Sequence, residues 1–262
     1  MEIGKKILTE KYWRSKPRKR IKDSIPSEKI LQVIVNGFKV ANISCSPGKE
    51  KELTIGFLAS EGFIENFDWI KKIDRHEGQK NFFLQKISVE TKKDNIRISG
   101  NYYIGSGCGS LANLIEINEL SKLEGNSSLL PAVIFGLSNC VKKYQVNKKK
   151  YGGFHAAALF DFKGKLICIY EDIGRHNCLD KIFGHSLLNG IGMDKKIVYT
   201  SGRIAIDIIK KVAKMRLPVI ITNSSITHKA AKLAESLNIT AIGYARGKRF
   251  NVYSGFERIT NS

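Results

Sequence analysis

Lys196-Ile197-Val198-Tyr199-Thr200-Ser201-Gly202-Arg203 is a short apolar run that ends in a small polar turn, and its reading decides the fold. Its β-branched and aromatic residues predict a strand over 196–200, and the periodic apolar stretch beyond predicts a helix over 204–215. The pattern repeats downstream with a strand over 219–223, a helix over 229–237 and a strand over 240–244. Upstream, 155–160 and 165–170 read as a hairpin across Asp161-Phe162-Lys163-Gly164, followed by a helix over 177–188. A hairpin followed by alternating helices and strands predicts an α/β layered sandwich with a largely parallel C-terminal sheet. In such sheets ligands bind beyond the carboxyl ends of the strands.

The N-terminal half reads differently. Residues 1–28 are polar and basic, contain Pro17 and Pro26, and predict a flexible arm. Apolar alternation through Ile30-Leu31-Gln32-Val33-Ile34-Val35, the turn Asn36-Gly37 and the return from Phe38 to Cys45 predict a hairpin. Ser46-Pro47-Gly48 ends it, and a helix over 50–61 stops at Gly62. Residues 82–91 and 95–99 read as further strands, and 116–150 as helical and polar. The expected division is an arm over 1–28, a smaller α+β domain over 29–130, a connection over 131–150, and a C-terminal α/β cofactor-binding domain over 151–262.

Composition narrows the function classes. With 262 residues and 42% hydrophobic content, the chain has enough apolar material for sizeable cores. No apolar run approaches the ~20 residues that span a bilayer, so a soluble, cytoplasmic protein with no membrane partner is expected. Five cysteines (45, 108, 140, 168, 178) lie far apart with no Cys-x-x-Cys, which matches neither a disulfide framework nor a zinc site. The net charge of +20 comes from scattered lysines that outnumber arginines three to one, with clusters at 16–22 and 148–150. No helix-turn-helix, zinc-finger or RNA-binding signature accompanies them. The expectation is a bias toward anionic partners without specific nucleic-acid binding.

Two features carry chemistry. Cys108 sits in Gly105-Ser106-Gly107-Cys108-Gly109-Ser110, where three glycines leave the thiol uncovered and let backbone N–H groups turn toward negative charge. Such surroundings favour the thiolate, although a small cysteine in a tight turn carries about equal weight on the residues alone. The second feature is a set of polar strand ends: Glu171-Asp172-Ile173-Gly174-Arg175-His176-Asn177, Ser201-Gly202-Arg203, Asn223 to His228, and Tyr244-Ala245-Arg246-Gly247-Lys248-Arg249. Arginines and small residues at helix starts suit an anion such as pyrophosphate, and four such ends on one edge predict a phosphate-bearing ligand. Singly, each reads as a cap or a local ion pair. His176 is expected to face that site; His155 reads equally well as a hydrogen-bonded core residue.

Taken together, Gly152-Gly153-Phe154-His155, Glu171 through Lys181, Ser201-Gly202-Arg203, Arg246 through Tyr253 and Gly56 through Ile64 resemble the FdhD/NarQ family of formate dehydrogenase accessory sulfurtransferases. The resemblance implies a fold similar to cytidine deaminases. It also implies that sulfur passes from a cysteine desulfurase, as a Cys108 persulfide, to the molybdenum (or tungsten) bis-molybdopterin guanine dinucleotide of formate dehydrogenase. The resemblance implies that this cofactor is bound as substrate at Tyr244, Ala245, Arg246, Gly247, Lys248 and Arg249, and the strand-end reading adds Arg203, Arg175 and His176 as expected neighbours. No metal is expected on protein side chains, and a homodimer is compatible with the reading. Many members carry Cys-Gly-x-Cys at this loop, whereas here it reads Cys108-Gly109-Ser110-Leu111. One thiol can still carry a terminal sulfur, since attack on a persulfide needs no resolving cysteine. A zinc deaminase would need His-x-Glu and Pro-Cys-x-x-Cys, and neither occurs. A non-catalytic cofactor chaperone remains the alternative, distinguished by whether Cys108 is dispensable.

Overall fold

The computed structural model describes residues 2–76, 84–92, 102–104, 117–125 and 127–260, with backbone alone at 102–104. The chain opens with an antiparallel ribbon of β1 (Gly4–Trp13) and β2 (Lys16–Pro26). Next come β3 (Lys29–Val35), β4 (Phe38–Cys45), helix α1 (Glu50–Ser60), β5 (Ile70–His76), β6 (Leu84–Thr91) and β7 (Tyr102–Ile104). Helices α2 (Pro131–Tyr144) and α3 (Val146–Tyr151) precede β8 (His155–Asp161), β9 (Leu166–Asp172) and α4 (Arg175–Leu188). Last are β10 (Lys196–Thr200), α5 (Ile206–Lys214), β11 (Val219–Thr222), α6 (His228–Ser236), β12 (Thr240–Arg246) and β13 (Arg249–Ser254).

The N-terminal sheet runs β5-β6-β3-β4-β7. Along β3, Leu31, Val33 and Val35 are buried while Ile30, Gln32 and Ile34 are only partly so, the period of two that seats one face on a core. Asn36 and Gly37 both take positive φ, 48° and 83°, as a two-residue hairpin turn requires. Helix α1 is buried nearly all round, because it lies between this sheet and α4.

The C-terminal sheet runs β13-β12-β11-β10-β8-β9. Both its faces are covered, so β8, β10 and β11 are continuously apolar. Ala157, Leu159, Val198 and Ile220 pack with α4, α5 and α6; Ala158, Phe160, Tyr199 and Ile221 pack with Ile134, Leu137 and Val141 of α2.

Three expectations are corrected. The sheet is mixed rather than largely parallel: β10, β11 and β12 are parallel, but β8–β9, β8–β10 and β12–β13 pair antiparallel. Short connections across 161–164 and 247–248 permit only antiparallel neighbours. Residues 4–26 form a ribbon rather than an arm without structure, because Ile7, Thr9, Tyr12, Trp13, Ile21 and Ile25 favour strands and place the cations between them. Residues 131–150 do not merely connect; the apolar side of α2 completes the C-terminal core. Within the strand expected over 82–91, β6 covers 84–91, whereas 82–83, the strand expected over 95–99 and the Cys108 loop lie outside the described residues.

The two sheets are joined through α1 and α4, which touch backbone to backbone. A Cβ on Gly56 would lie 1.7 Å from the Asp180 carbonyl oxygen, and one on Gly184 would lie 1.8 Å from that of Glu52. Beside this crossing Lys211 of α5 is 1% exposed and donates to Asp180 Oδ1 and Oδ2 and to Glu61 Oε1, each at 2.8 Å. It also donates to Ser60 Oγ at 3.0 Å. Burial opposes its charge, but Asp180 and Glu61 more than offset this and hold the ammonium protonated.

Candidate functional site

The strand-end segments meet along one edge of the C-terminal sheet. Because β8 is antiparallel to β10 and β9, its first residue His155 stands opposite Asp172 at the end of β9, with Thr200 ending β10 beside Ala157. Ser201 N–H donates to the Ala156 carbonyl at 2.9 Å, and Ala156 N–H returns a bond to Ser201 Oγ at 2.9 Å. Ile204 N–H reaches the Ser225 carbonyl at 3.0 Å, and Tyr244 N–H reaches that of Ser224 at 2.8 Å. Four distant sequence segments are thereby tied into one rim.

Arg175 opens α4 at this rim and packs on Gly202, where a Cβ would come within 2.9 Å of the arginine side chain. His155 is half-buried with Nδ1 3.5 Å from Ser201 Oγ. Burial first, then the charges of Arg175, Lys148 and His176, push its pKa down, so the imidazole is neutral at pH 7. His176 is buried and pairs through Nε2 with Asp207 Oδ2 at 2.7 Å. Asp207, in the first turn of α5, was not singled out in the sequence, where nothing marks an acid 31 residues away as a histidine's partner.

Burial by itself would raise the Asp207 carboxyl, but the His176 hydrogen bond and charge, with Arg175, bring it from 3.8 down to about 2. A depressed carboxyl contributes stability that is complete above the unfolded value and is lost as pH falls through about 2. Asp207→Asn is therefore expected to cost about 2 kcal/mol at neutral pH and almost nothing near pH 2, measured by urea unfolding across that range. Equal stabilities at pH 7 would show that the pair contributes nothing.

Arg203 is exposed just beyond β10. Tyr244 takes a left-handed backbone, φ 51°, which a bulky residue adopts only when its surroundings impose it. Ala245 is buried, while Arg246, Gly247, Lys248 and Arg249 are exposed. The expected loop is a hairpin turn in which Arg246 pairs with Arg249 across Gly247, φ 63°, and Lys248. Arg246 also lies over the Tyr244 ring at 5.9 Å.

Other residues of the Glu171–Lys181 stretch hold the rim in place. Asp172 is fully buried; its Oδ1 accepts from Gly174 N–H at 2.9 Å and Asn177 Nδ2 at 2.8 Å. Its Oδ2 accepts from Lys181 Nζ at 2.5 Å and from Ser46 N–H at 3.2 Å. Asn177 Nδ2 also donates to the Ser44 carbonyl at 2.8 Å, and Ile173 N–H to Ser46 Oγ at 3.1 Å. The end of β4 is thus fastened to this edge. β7 lies beside β4 and runs parallel to it, with Ile104 opposite Ile43, so the chain leaves β7 at the fastened end. Cys108 follows four residues later, outside the described residues. Among the described residues, no three of His, Cys, Asp and Glu group as a metal ion would need. No helix among them is long and apolar enough to cross a membrane.

The profile of the FdhD/NarQ family matches residues 26–260. The sulfur carrier protein FdhD of Listeria monocytogenes is 37% identical over 250 residues, covering 92% of this chain and 93% of that protein. The proteins of the same name from Bacillus subtilis and Sulfolobus acidocaldarius are 36% and 35% identical, and the alignments cover 92% and 90% of this chain. They span 92% and 91% of those two relatives. A crystal structure named for a formate dehydrogenase accessory protein of Desulfotalea psychrophila superposes with a TM-score of 0.80 at 23% identity, covering 99% of this chain and all of that one. That likeness establishes a shared mixed α/β architecture. By the extent of the profile match and the identity to these relatives, the chain belongs to the FdhD/NarQ family.

Proposed function

We propose that this chain carries sulfur on Cys108 from a cysteine desulfurase to the molybdenum (or tungsten) bis-molybdopterin guanine dinucleotide of formate dehydrogenase, which it binds as substrate along the C-terminal sheet edge. The observation that supports this most is the shared rim. The strand β7 that leads to Cys108 leaves the N-terminal sheet at the end of β4, and that end is fastened to the segment that bears Arg175 and His176, with Arg203 on the same rim. On this reading Cys108 works within reach of the rim, since the four residues beyond Ile104 span at most about 14 Å. In the loading step the Cys108 thiolate attacks the terminal sulfur of a donor persulfide, leaving the donor as a thiolate and Cys108 as the persulfide. The sheet covered by helices on both faces favours the deaminase-like layering implied by the resemblance.

On this reading Arg203 and the turn bearing Arg249 supply charge-assisted donors for the guanine-nucleotide phosphates. Losing one such contact costs about 1.5–3 kcal/mol, roughly tenfold or more in affinity. Calorimetry with guanosine diphosphate is expected to show that loss for Arg203→Ala and for Arg249→Ala. Unchanged affinity in both variants would remove the nucleotide from this edge.

A further inference from the structure

We propose that the β1–β2 ribbon is a docking arm for an acidic, apolar-centred patch on a partner protein, and that it sets this partner beside the sheet edge. Residues 4–26 hold nine lysines and arginines against two acids, Glu10 and Asp23. The register, Lys6↔Ser24, Leu8↔Lys22 and Glu10↔Arg20, collects Leu8, Tyr12, Arg18, Arg20 and Lys22 around Glu10 on one face. Leu8 and Tyr12 are each 67% exposed. Arg18 and Arg20 approach Glu10 at 3.6 and 3.4 Å, and the Tyr12 hydroxyl donates to it at 2.8 Å. One carboxylate therefore aligns two arginines and a tyrosine over the face while neutralising a single charge, so less ordering remains to be done on binding.

The base of the ribbon is built into the frame of the rim. Gly4 lies against the Tyr151 ring, where a Cβ would come within 2.3 Å of Cε1, and Ser27 N–H donates to the Ile3 carbonyl at 2.8 Å. Helix α3 behind it is held by Glu171, whose oxygens accept from Asn147 N–H and Lys148 N–H at 2.8 and 2.9 Å. Glu171 adjoins Asp172 of the rim, and Tyr151 stands four residues before His155. A two-stranded ribbon is marginal in water by itself, and this one keeps large apolar side chains uncovered along its length.

Charge decides the occupant. A second copy would bring the same cations together, whereas an acidic surface complements them. Tyrosine and arginine around an aliphatic centre suit a protein interface, and Leu8 has no counterpart on a phosphate backbone. The inference rests on the reading above only in taking the partner from the two proteins a sulfur carrier must meet, its donor and its acceptor. In the full chain, binding of purified cysteine desulfurase and of formate dehydrogenase would be measured for Arg18→Glu/Arg20→Glu and, separately, for Leu8→Ser/Tyr12→Ser.

Each double variant is expected to bind one of the two proteins about tenfold or more weaker, with guanosine diphosphate affinity unchanged. The arm is overturned if the wild type binds neither protein, or if both variants bind both proteins as the wild type does. It is equally overturned if single-stranded RNA displaces the protein partner from this face at physiological salt. Sulfur loading of Cys108, read by mass spectrometry, separates the two claims. Loading with ribbon-independent binding removes the arm and keeps the carrier; ribbon-dependent binding without loading does the reverse.

Discussion

Cys108→Ala is expected to take up no transferable sulfur and to leave formate dehydrogenase inactive, a loss of several orders of magnitude rather than a partial defect. The reason lies as much in Cys45, Cys168 and Cys178 as in Cys108. Burial, and then the charge of Asp172, push the Cys45 and Cys178 thiols well above the usual range, and burial pushes Cys168 up to about 12. At neutral pH these three sulfurs are protonated, with Cys45 and Cys178 buried and Cys168 half-buried, so none of the three is poised to attack a donor persulfide in place of Cys108. After incubation with a desulfurase and cysteine, mass spectrometry should find a reducible sulfur adduct on the wild type and none on the variant. An adduct on the variant, or a normally matured client, would transfer the case to a cofactor chaperone that needs no thiol.

The largest effect on stability is expected from Lys211→Met. Methionine fills much of the same volume but leaves Asp180 and Glu61 facing each other in a dry junction without their shared cation. Removing one partner of a buried ion pair costs about 3–5 kcal/mol, because the remaining charge is uncompensated. Urea denaturation at neutral pH should show a loss of that size. Replacing Asp180 by Asn in the same chain should recover part of it by removing one of the stranded charges. A loss below about 1 kcal/mol would mean that the two sheets are held together mainly by α1 against α4.

Local pattern was enough for β10, α5, β11, α6 and β12, where each element has its own period and its own terminators. It was also enough for the hairpin around Asn36-Gly37. It failed where charge masks strand preference, as in β1 and β2, and where an apolar face is diluted by lysines, as in the segment that became α2. At the rim, the arginines stood out in the sequence as candidate donors to an anion. The roles of Asp172 and Asn177 did not, because their partners Ser46 and Ser44 lie 126 and 133 residues away in the N-terminal sheet. Lys211 could not be told from the other lysines, since its burial is a property of three segments meeting.

The glycine crossing of α1 and α4 has a mechanical consequence. Two helices whose backbones touch at Gly56 and Gly184 cannot slide, because any shift along the axis brings a side chain against a carbonyl. The seam acts as a keyed joint, and the N-terminal sheet turns only when the C-terminal sheet turns with it. The crossing therefore opposes any change in the span from the end of β4 to Arg203. On the proposed reading, the distance the sulfur covers would come from loops or from the cargo rather than from a hinge between the two sheets.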